Sequence, residues 1–197
     1  MLDSTCISIL NAPATLSFSD QFAYRPTGST TAAIITILHR VTHLLATNPY
    51  VIVIALDFSK AFDTVRHHTL LDKITELDIP DYSYNWLTYF FARHSHQTHY
   101  GGSVSQIQCI SANIIQGSAI GPTSYVVTAS DLHTIYHGNE FCKYADDTYL
   151  TVPASNVDTR NAELKNITDW ATINLSHKLS GSEEIVFMDK KGNLISN

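Results

Sequence analysis

An uninterrupted apolar run at residues 50–56 is the strongest hydrophobic signal along the chain, and it ends on Asp57. Its length and its β-branched composition predict a strand that is buried on both faces. A carboxylate buried at the end of such a strand is costly unless it is paired with a cation or coordinates a metal. Asp57 is therefore a candidate functional residue, although a residue in this position could equally cap the helix that follows.

Apolar residues recur at helical spacing on both sides of this strand. The spacing predicts a helix that Ser29 or the next residue caps and that ends before Pro49. It also predicts a helix over residues 59–77 and a further helix that Asp81 caps and that ends near residue 93. The residues expected to face the core are Ile34, Ile37, Leu38, Val41, Leu44 and Leu45 in the first helix, Phe62, Val65, Leu70, Ile74 and Leu77 in the second, and Trp86, Tyr89 and Phe90 in the third.

The second half of the chain alternates short strands and helices. Residues 95–114 predict a hairpin with a Gly-Gly turn. Pro122, after a loop with two glycines, predicts the start of a helix. A later helix is capped by Asn156 or Asp158, and residues 185–187 predict a last short strand. Without repeats or linkers, this alternation predicts one α+β domain.

Two adjacent carboxylates, Asp146 and Asp147, lie between two short aromatic and aliphatic runs within residues 141–150. The runs predict strands, and the acidic pair falls at the hairpin turn between them. Neighbouring carboxylates repel each other, so a divalent cation is the simplest source of compensating charge. Because Asp also favours turns for backbone reasons alone, the pair needs support from elsewhere in the chain.

Composition narrows the class of protein. The 197 residues are 44% hydrophobic and 15% charged, which is typical of a globular domain. No apolar run approaches the length of about 20 residues that spans a bilayer, and the first residues lack the pattern of a secretory signal. Three widely spaced cysteines favour reduced thiols and an intracellular protein, in the nucleus or the cytoplasm. The net charge of −6 argues against nucleic-acid binding by charge alone.

Four ordered segments resemble the motifs of one polymerase family. They are residues 21–30 (Gln-Phe-Ala-Tyr-Arg-Pro-Thr-Gly-Ser-Thr), 55–63 (Ala-Leu-Asp-Phe-Ser-Lys-Ala-Phe-Asp), 115–122 (Ile-Gln-Gly-Ser-Ala-Ile-Gly-Pro) and 144–147 (Tyr-Ala-Asp-Asp). In this order they resemble the palm of reverse transcriptases, most closely the non-LTR (LINE-type) retrotransposon branch. The resemblance covers roughly residues 18–188.

The resemblance implies an α+β fold with a polymerase palm-like antiparallel sheet backed by helices and a partial fingers segment. Residues 1–197 would form a single reverse-transcriptase-like domain. Within it, residues 1–48 would be the partial fingers and entry helix, and residues 49–197 the palm.

The same resemblance implies a magnesium-dependent nucleotidyltransferase, an RNA-directed DNA polymerase that adds deoxynucleotides to a primer 3′ end by a two-metal mechanism. Its partners would be an RNA template, a DNA primer and deoxynucleoside triphosphates, and its cofactors two Mg²⁺ ions, with Mn²⁺ as an alternative. The implied catalytic residues are Asp57, Asp146 and Asp147. Asp57 and Asp146 would bridge the metals, Asp147 would assist, and Phe58 would contribute its carbonyl.

The resemblance further implies a site for the nucleotide and the template. Phe62 matches the position that packs beneath the sugar and excludes a 2′-hydroxyl, while Gln116 and Gly117 would lie along the incoming nucleotide and template. Lys60 would face the triphosphate, and Arg25 is assigned to the same site. Each has a plainer interpretation on its own, because an aromatic residue at helical spacing is usually core and Gln-Gly is usually a turn.

Two departures from the family pattern lower the activity expected of this chain. The family's earlier, basic fingers motifs and its thumb are expected to be absent, which agrees with the acidic balance. In the fourth palm motif, Trp170, Asn174 and Phe187 fit, but Gly181 stands where the family has a lysine. A lysine there could protonate the leaving pyrophosphate, and Lys178 is the nearest substitute.

Two functions therefore remain open. The chain is a polymerase palm that is impaired when isolated, or it is a catalytically inactive retrotransposon-derived remnant that acts, if at all, as a binding module. A metal-dependent nuclease that uses the same acids is a third hypothesis, which is disfavoured because no segment matches a nuclease motif.

Overall fold

The structure, a computed structural model, describes residues 13, 15–92, 94–115, 117–176 and 179–189, with the backbone alone at residues 179 and 180. The chain divides into two compact units. The first, which we call the helical unit, comprises Met1–Ser17, Lys60–Asp131 and Ile173–Ser176. The second, the sheet unit, comprises Phe18–Ser59, Leu132–Thr172 and His177–Asn197. The predicted division into fingers and palm at residues 48 and 49 stays a prediction.

The elements are numbered in chain order over the described residues. The helices are α1 (Thr30–Leu45), α2 (Ala61–Thr64), α3 (His67–Thr75), α4 (Asp81–Ala92), α5 (Gly121–Thr128) and α6 (Arg160–Asn174). The strands are β1 (Tyr50–Phe58), β2 (Ser95–His96), β3 (His99–Tyr100), β4 (Ser103–Val104), β5 (Gln108–Cys109), β6 (Glu140–Tyr144), β7 (Asp147–Pro153) and β8 (Leu179–Met188). Short 3-10 helices span Ala129–Asp131 and Ala154–Thr159. Within the described ranges, no helix has the length and apolar character needed to cross a membrane.

The sheet unit is built on a four-stranded antiparallel sheet with the strand order β6-β7-β1-β8. The apolar run at residues 50–56 forms β1, and its central position explains why residues 51–54 are buried whichever face they point to. The predicted α+β class and the antiparallel sheet with helices are confirmed. The last strand was predicted at residues 185–187 and is much longer, because β8 pairs with β1 along nearly its whole length.

One face of this sheet packs against α1. Its core is formed by Val41 of the helix with Val51 and Val53 of β1. The partly buried residues around this core are Ile37, Leu44, Leu45, Tyr149 and Phe187. On the other face, Phe58 makes an edge contact with Trp170 of α6, with 5.6 Å between ring centroids.

Helix α1 confirms the predicted cap, since the Ser29 side chain accepts a hydrogen bond from the amide of Ala32 at 3.0 Å. The predicted inward face was wrong in part, because Ile34 and Leu38 are exposed. Ala33, which periodicity did not single out, is buried in their place. Apolar spacing therefore located the helix but did not identify all of its buried residues.

The helix predicted over residues 59–77 was wrong as a single element. It is interrupted between α2 and α3, where Val65 is extended with φ −58° and ψ 122°. Val65 and Arg66 form single antiparallel bridges with Leu175 and Ala112, respectively. Backbone pairing with distant parts of the helical unit therefore replaces helical hydrogen bonds here, which local spacing could not predict.

Helix α4 begins at Asp81, which is its first helical residue and not the predicted cap before it, and ends at Ala92, while residue 93 lies outside the described residues. Its predicted inner face was wrong in part, because Trp86 is 53% exposed and Tyr89 is 62% exposed, whereas Phe90 is half-buried. Phe91 is the buried aromatic residue of this helix. The other elements agree more closely with prediction, since β3 and β4 meet at the Gly-Gly turn and α5 has a proline in its first turn.

His67, at the start of α3, is a buried histidine held in one tautomer. Its Nε2 lies 2.7 Å from the Asn113 carbonyl, which can only accept, so Nε2 carries the proton. Burial lowers the pKa of His67, and the neighbouring His94 lowers it further, against the opposing effect of the carbonyl hydrogen bond. The ring is 5.7 Å from that of His94 and 4.9 Å from that of Phe91.

The lowered pKa predicts a loss of stability in mild acid. The unfolded chain takes up the proton at the ordinary pKa near 6.5, whereas the folded chain resists it, so the free energy of unfolding falls as the pH drops below that value. In His67→Gln the decline between pH 7.5 and pH 5 should be shallower when followed by urea unfolding. The exposed neighbour variant His68→Gln is the control and should follow the wild type. Equal slopes in wild type and His67→Gln would contradict the prediction.

Candidate active site

The acidic pair lies where the sequence predicts it, at the end of a hairpin. Strands β6 and β7 pair up to Tyr144 opposite Asp147, which leaves Ala145 and Asp146 as a two-residue turn. Ala145 has a φ of +55°, and no positive φ occurs at Asp146, a pattern shared with type II′ turns. This conformation favours glycine and costs an alanine about 1–2 kcal/mol. The turn is therefore strained by its own sequence.

Asp57 is brought to the same end of the sheet. Strand β1 pairs with β7 up to Leu56 opposite Thr148, and one further step in this register sets Asp57 opposite Asp147. Residues directly opposite on antiparallel strands point to the same face. Contrary to the prediction of a buried carboxylate, Asp57 is exposed. It is the one exposed residue of β1 and lies between the buried Leu56 and Phe58, so its side chain meets solvent.

The three carboxylates affect one another electrostatically. The pKa of Asp147 is raised, first by partial burial and then by the negative charges of Asp146 and Asp57. The pKa of Tyr149, two residues along the same strand, is raised by burial, by Asp147 and by Cys142. Negative charge is thus concentrated at this end of the sheet.

The donor set fits a hard divalent cation. Carboxylate oxygens from separate strands are the ligands that Mg²⁺ prefers, and a cation would offset the negative charges that, after partial burial, raise the pKa of Asp147. In the part of the chain that the structure describes, no group of three or more His, Cys, Asp or Glu side chains is gathered closely enough to hold an ion. The fit therefore rests on the kind of ligand and its charge, and binding would draw the carboxylates together.

Gly181 lies on β8, the strand next to β1, directly opposite Asp57. In the ladder between β1 and β8, Asp57 pairs with Gly181, and the register shifts immediately afterwards so that Phe58 pairs with Leu179. A Cβ added at Gly181 would meet no atom within 4 Å. A side chain at residue 181 would therefore extend from the sheet on the face of Asp57, into open space. Lys178, the predicted substitute, lies outside the described residues.

Other predicted residues belong to the helical unit. Phe62 is half-buried, its ring is stacked on that of Tyr125 at 4.6 Å, and its carbonyl accepts a hydrogen bond from the amide of Ile114 at 2.8 Å. The glycine loop thus begins beside Phe62. In that loop Gly117 has a φ of +82° and open space around it, and Gln116 lies outside the described residues.

Lys60 and Arg25 occupy exposed turns. Lys60 precedes α2 in the left-handed conformation, with φ 51° and ψ 46°. Arg25, in the sheet unit, donates from Nη1 to the carbonyls of Phe18 at 2.9 Å and Gln21 at 3.1 Å. Arg25 therefore braces its own loop, a contact that motif reasoning did not anticipate.

Sequence reasoning assigned no role to Gln21, Lys143 or Asp20. Gln21 contacts the backbone of the acidic turn, and Lys143 forms an ion pair with Asp20 at 2.8 Å while 1% exposed. The one signal in the sequence is a lysine inside an otherwise apolar strand, which demands a buried partner.

Comparison with known proteins identifies relatives of the chain. Residues 2–179 match the family described as "Reverse transcriptase (RNA-dependent DNA polymerase)". The chain is 31% identical over 149 residues to the RNA-directed DNA polymerase from mobile element jockey of Drosophila melanogaster. That match covers 68% of this chain and 16% of the relative's length. Both matches agree with the resemblance of the motifs.

Solved structures are similar in fold. A telomerase from Candida tropicalis, in complex with the TWJ fragment of telomeric RNA, has a TM-score of 0.69 at 10% identity and covers 94% of this chain and 34% of that one. The apo enzyme truncated from its C-terminal domain has a TM-score of 0.63 at 13% identity, covering 88% and 37%. At these identities the likeness is one of fold.

The partial burial of Asp147, together with the negative charges of Asp146 and Asp57, predicts that this carboxylate destabilises the metal-free chain. Because the pKa of Asp147 is raised, ionising it at neutral pH is less favourable in the folded than in the unfolded state. In EDTA at pH 7, Asp147→Asn should raise the free energy of unfolding by about 0.5 kcal/mol, a small value because the site is exposed. Asp169→Asn, which breaks the exposed pair with Lys165, should lower it slightly. Loss of stability in Asp147→Asn would contradict the prediction, and urea unfolding measures both.

Proposed function

The chain belongs to the reverse transcriptase (RNA-dependent DNA polymerase) family, and we propose that it is the polymerase palm of an RNA-directed DNA polymerase. The observation that carries the proposal is the strand register, which sets Asp57 and the Asp146–Asp147 pair at the same end of the sheet. Three negatively charged carboxylates that are accessible to solvent fit a site that binds phosphates together with metal ions. They do not fit a site that grips a phosphate backbone directly.

The family generally uses divalent metal ions. In this chain, Asp57, Asp146 and Asp147 would hold two Mg²⁺ ions, with the Phe58 carbonyl as a backbone ligand. Bound there, the ions would supply activation of the primer 3′-hydroxyl and neutralisation of the leaving pyrophosphate. By fixing the positions of the ions, the carboxylates would help to align the reacting groups, which is the main requirement of phosphoryl transfer.

The residues of the helical unit would select the nucleotide. The stacking on Tyr125 restricts the ring of Phe62 and the hydrogen bond to its carbonyl fixes its backbone, so the ring would form a rigid wall against a 2′-hydroxyl. Gly117, with its positive φ and open surroundings, would permit close approach of a base or sugar to the loop backbone. Lys60, Arg25 and Gln116 remain assigned to the triphosphate and template by resemblance alone.

The substrates would be an RNA template, a DNA primer and deoxynucleoside triphosphates. The telomerase that the chain resembles in fold was solved with an RNA fragment, and the family name itself specifies an RNA template. The chain spans 16% of the length of the jockey polymerase, and the proposal concerns nucleotidyl transfer at the carboxylates that this chain carries.

One observation favours the second candidate, a catalytically inactive remnant. Gly181 occupies the strand position opposite Asp57, where the family pattern has a lysine, and glycine offers no proton to a leaving group. General acid catalysis typically contributes about 10²–10⁴-fold to a rate. The chemical step of this chain would accordingly be slow even with the carboxylates in place.

Primer extension tests the proposed function. With Mg²⁺, a DNA primer and an RNA template, the full chain should incorporate deoxynucleotides, and Asp146→Asn should lower the rate by about 100-fold or more, because several kcal/mol of charge stabilisation are lost. Asp169→Asn is the matched control, since Asp169 lies on the exposed face of α6, paired with Lys165, and it should match the wild type. Synthesis that is equal in Asp146→Asn and wild type would refute the assignment, and no synthesis by either would favour the inactive remnant.

Restoring the missing proton donor is a second test. The space at Gly181 predicts that Gly181→Lys is accommodated in the sheet and raises the single-turnover rate about tenfold or more. The gain should disappear at pH values above the pKa of the new ammonium group. Gly181→Met, similar in length but without a proton, is the control and should leave the rate unchanged. A rate for Gly181→Lys no higher than that for Gly181→Met would show that residue 181 takes no part in proton transfer.

A further inference from the structure

The strained turn that carries Asp146 requires support from outside the hairpin. Ala145 holds a positive φ in a position that favours glycine, so the β6–β7 sequence does not by itself specify this turn. We propose that Gln21 is a positioning residue that fixes the turn and thereby aims Asp146 at the metal site. The inference rests on the proposed function, because aiming Asp146 matters only if Asp146 binds metal.

The contact is made to the turn's backbone, not to its carboxylates. The Gln21 Oε1 accepts a hydrogen bond from the Ala145 amide at 3.0 Å, and its Nε2 lies 3.5 Å from the Ala145 carbonyl. The same Oε1 also accepts from the amide of Ala23 at 2.9 Å. Both lone pairs of this oxygen are therefore used, and each amide that it serves is buried.

Gln21 can act as a clamp because it is itself fixed. Its side chain is 3% exposed, and it forms a single parallel bridge with Lys143 on β6. The amide of Phe22 donates to the Lys143 carbonyl at 2.8 Å, and the Lys143 amide donates to the Asp20 carbonyl at 2.7 Å. Residues 20–22 therefore run as a short extra strand along the free edge of β6, two residues before the turn.

A buried ion pair fastens this extra strand. Lys143 Nζ lies 2.8 Å from Asp20 Oδ2 and donates to the Leu132 carbonyl at 2.7 Å. The ammonium group of Lys143 is therefore held in one place, because moving away from Asp20 or from the Leu132 carbonyl would leave a buried charge without a partner. The clamp therefore has a rigid base on the strand that leads into the acidic turn.

The hydrogen bond can be observed in the wild type alone. In the full chain, labelled with ¹⁵N and ¹³C, a scalar coupling should connect the Ala145 amide nitrogen with the Gln21 side-chain carbonyl carbon. The Ala145 amide should also exchange slowly with deuterium. Absence of the coupling would overturn the inference without reference to any variant.

Variants test whether the clamp serves the metal site. In Gln21→Met, which has similar length and no hydrogen bond, Ala145 exchange should accelerate, and the affinity for Mn²⁺, measured by electron paramagnetic resonance without nucleic acid, should fall about 10-fold or more. Gln21→Glu retains an accepting oxygen at the same reach and should restore most of the affinity. That rescue separates positioning from a general loss of packing.

The matched control removes a different buried amide of the sheet unit. Asn139 is 3% exposed and donates through Nδ2 to Thr159 Oγ1 and to Glu163 Oε1, each at 2.9 Å. Asn139→Leu should lower the free energy of unfolding yet leave Mn²⁺ affinity and Ala145 exchange at wild-type values. Equal loss of affinity in Asn139→Leu and Gln21→Met would reduce Gln21 to a structural role.

The outcomes separate this inference from the proposed function. If the wild type shows no Mn²⁺ binding that depends on Asp146 while the coupling is present, the proposed function fails, and Gln21 supports only the fold. If the wild type binds Mn²⁺ through Asp146 and folded Gln21→Met binds it equally well, the proposed function stands and the positioning role is overturned.

Discussion

Repulsion among Asp57, Asp146 and Asp147 is the constraint on which the rest of the structure depends. The carboxylates lie at one end of a sheet whose interior is apolar, and the pKa of Asp147 is raised by its partial burial and then by the charges of the other two. Such a concentration of negative charge opposes folding, so the strands that carry it must be stabilised elsewhere. The central position of β1 and its core with α1 provide that stabilisation. The burial of the apolar strand thus offsets the unfavourable charge at its acidic end.

The acidic turn depends on a second, polar support. Ala145 and Asp146 form a turn in which Ala145 has a positive φ that disfavours alanine, and the buried side chain of Gln21 contacts the Ala145 backbone. The ion pair between Lys143 and Asp20 joins the same segment to β6. A buried ion pair adds little net stability, but it imposes one register on the segments that it joins. Apolar packing therefore builds the sheet, while buried polar contacts determine how its acidic end is presented.

Local patterns predicted the elements well and their environment poorly. The apolar run predicted β1, Ser29 predicted the start of α1, and the Gly-Gly pair predicted a hairpin turn, because each signal lies within a few residues. The break at Val65 was missed because it results from pairing with residues near 112 and 175. Trp86 and Tyr89 were predicted to face the core because they are aromatic, but both are exposed. Residue type alone does not show which face of a helix packs against the rest of the protein.

The sequence by itself determined the order and spacing of the carboxylates and the α+β class, because these follow from residue types and local periodicity, and it indicated the family through the resemblance of its ordered motifs. Only the tertiary structure decided that Asp57 is exposed and opposite Gly181, and that Gln21 bonds to a turn 124 residues away. The physical reason is that a hydrogen bond or a strand register forms between segments that meet only after folding. Which residues become partners depends on how the whole sheet packs, and no local sequence pattern specifies it.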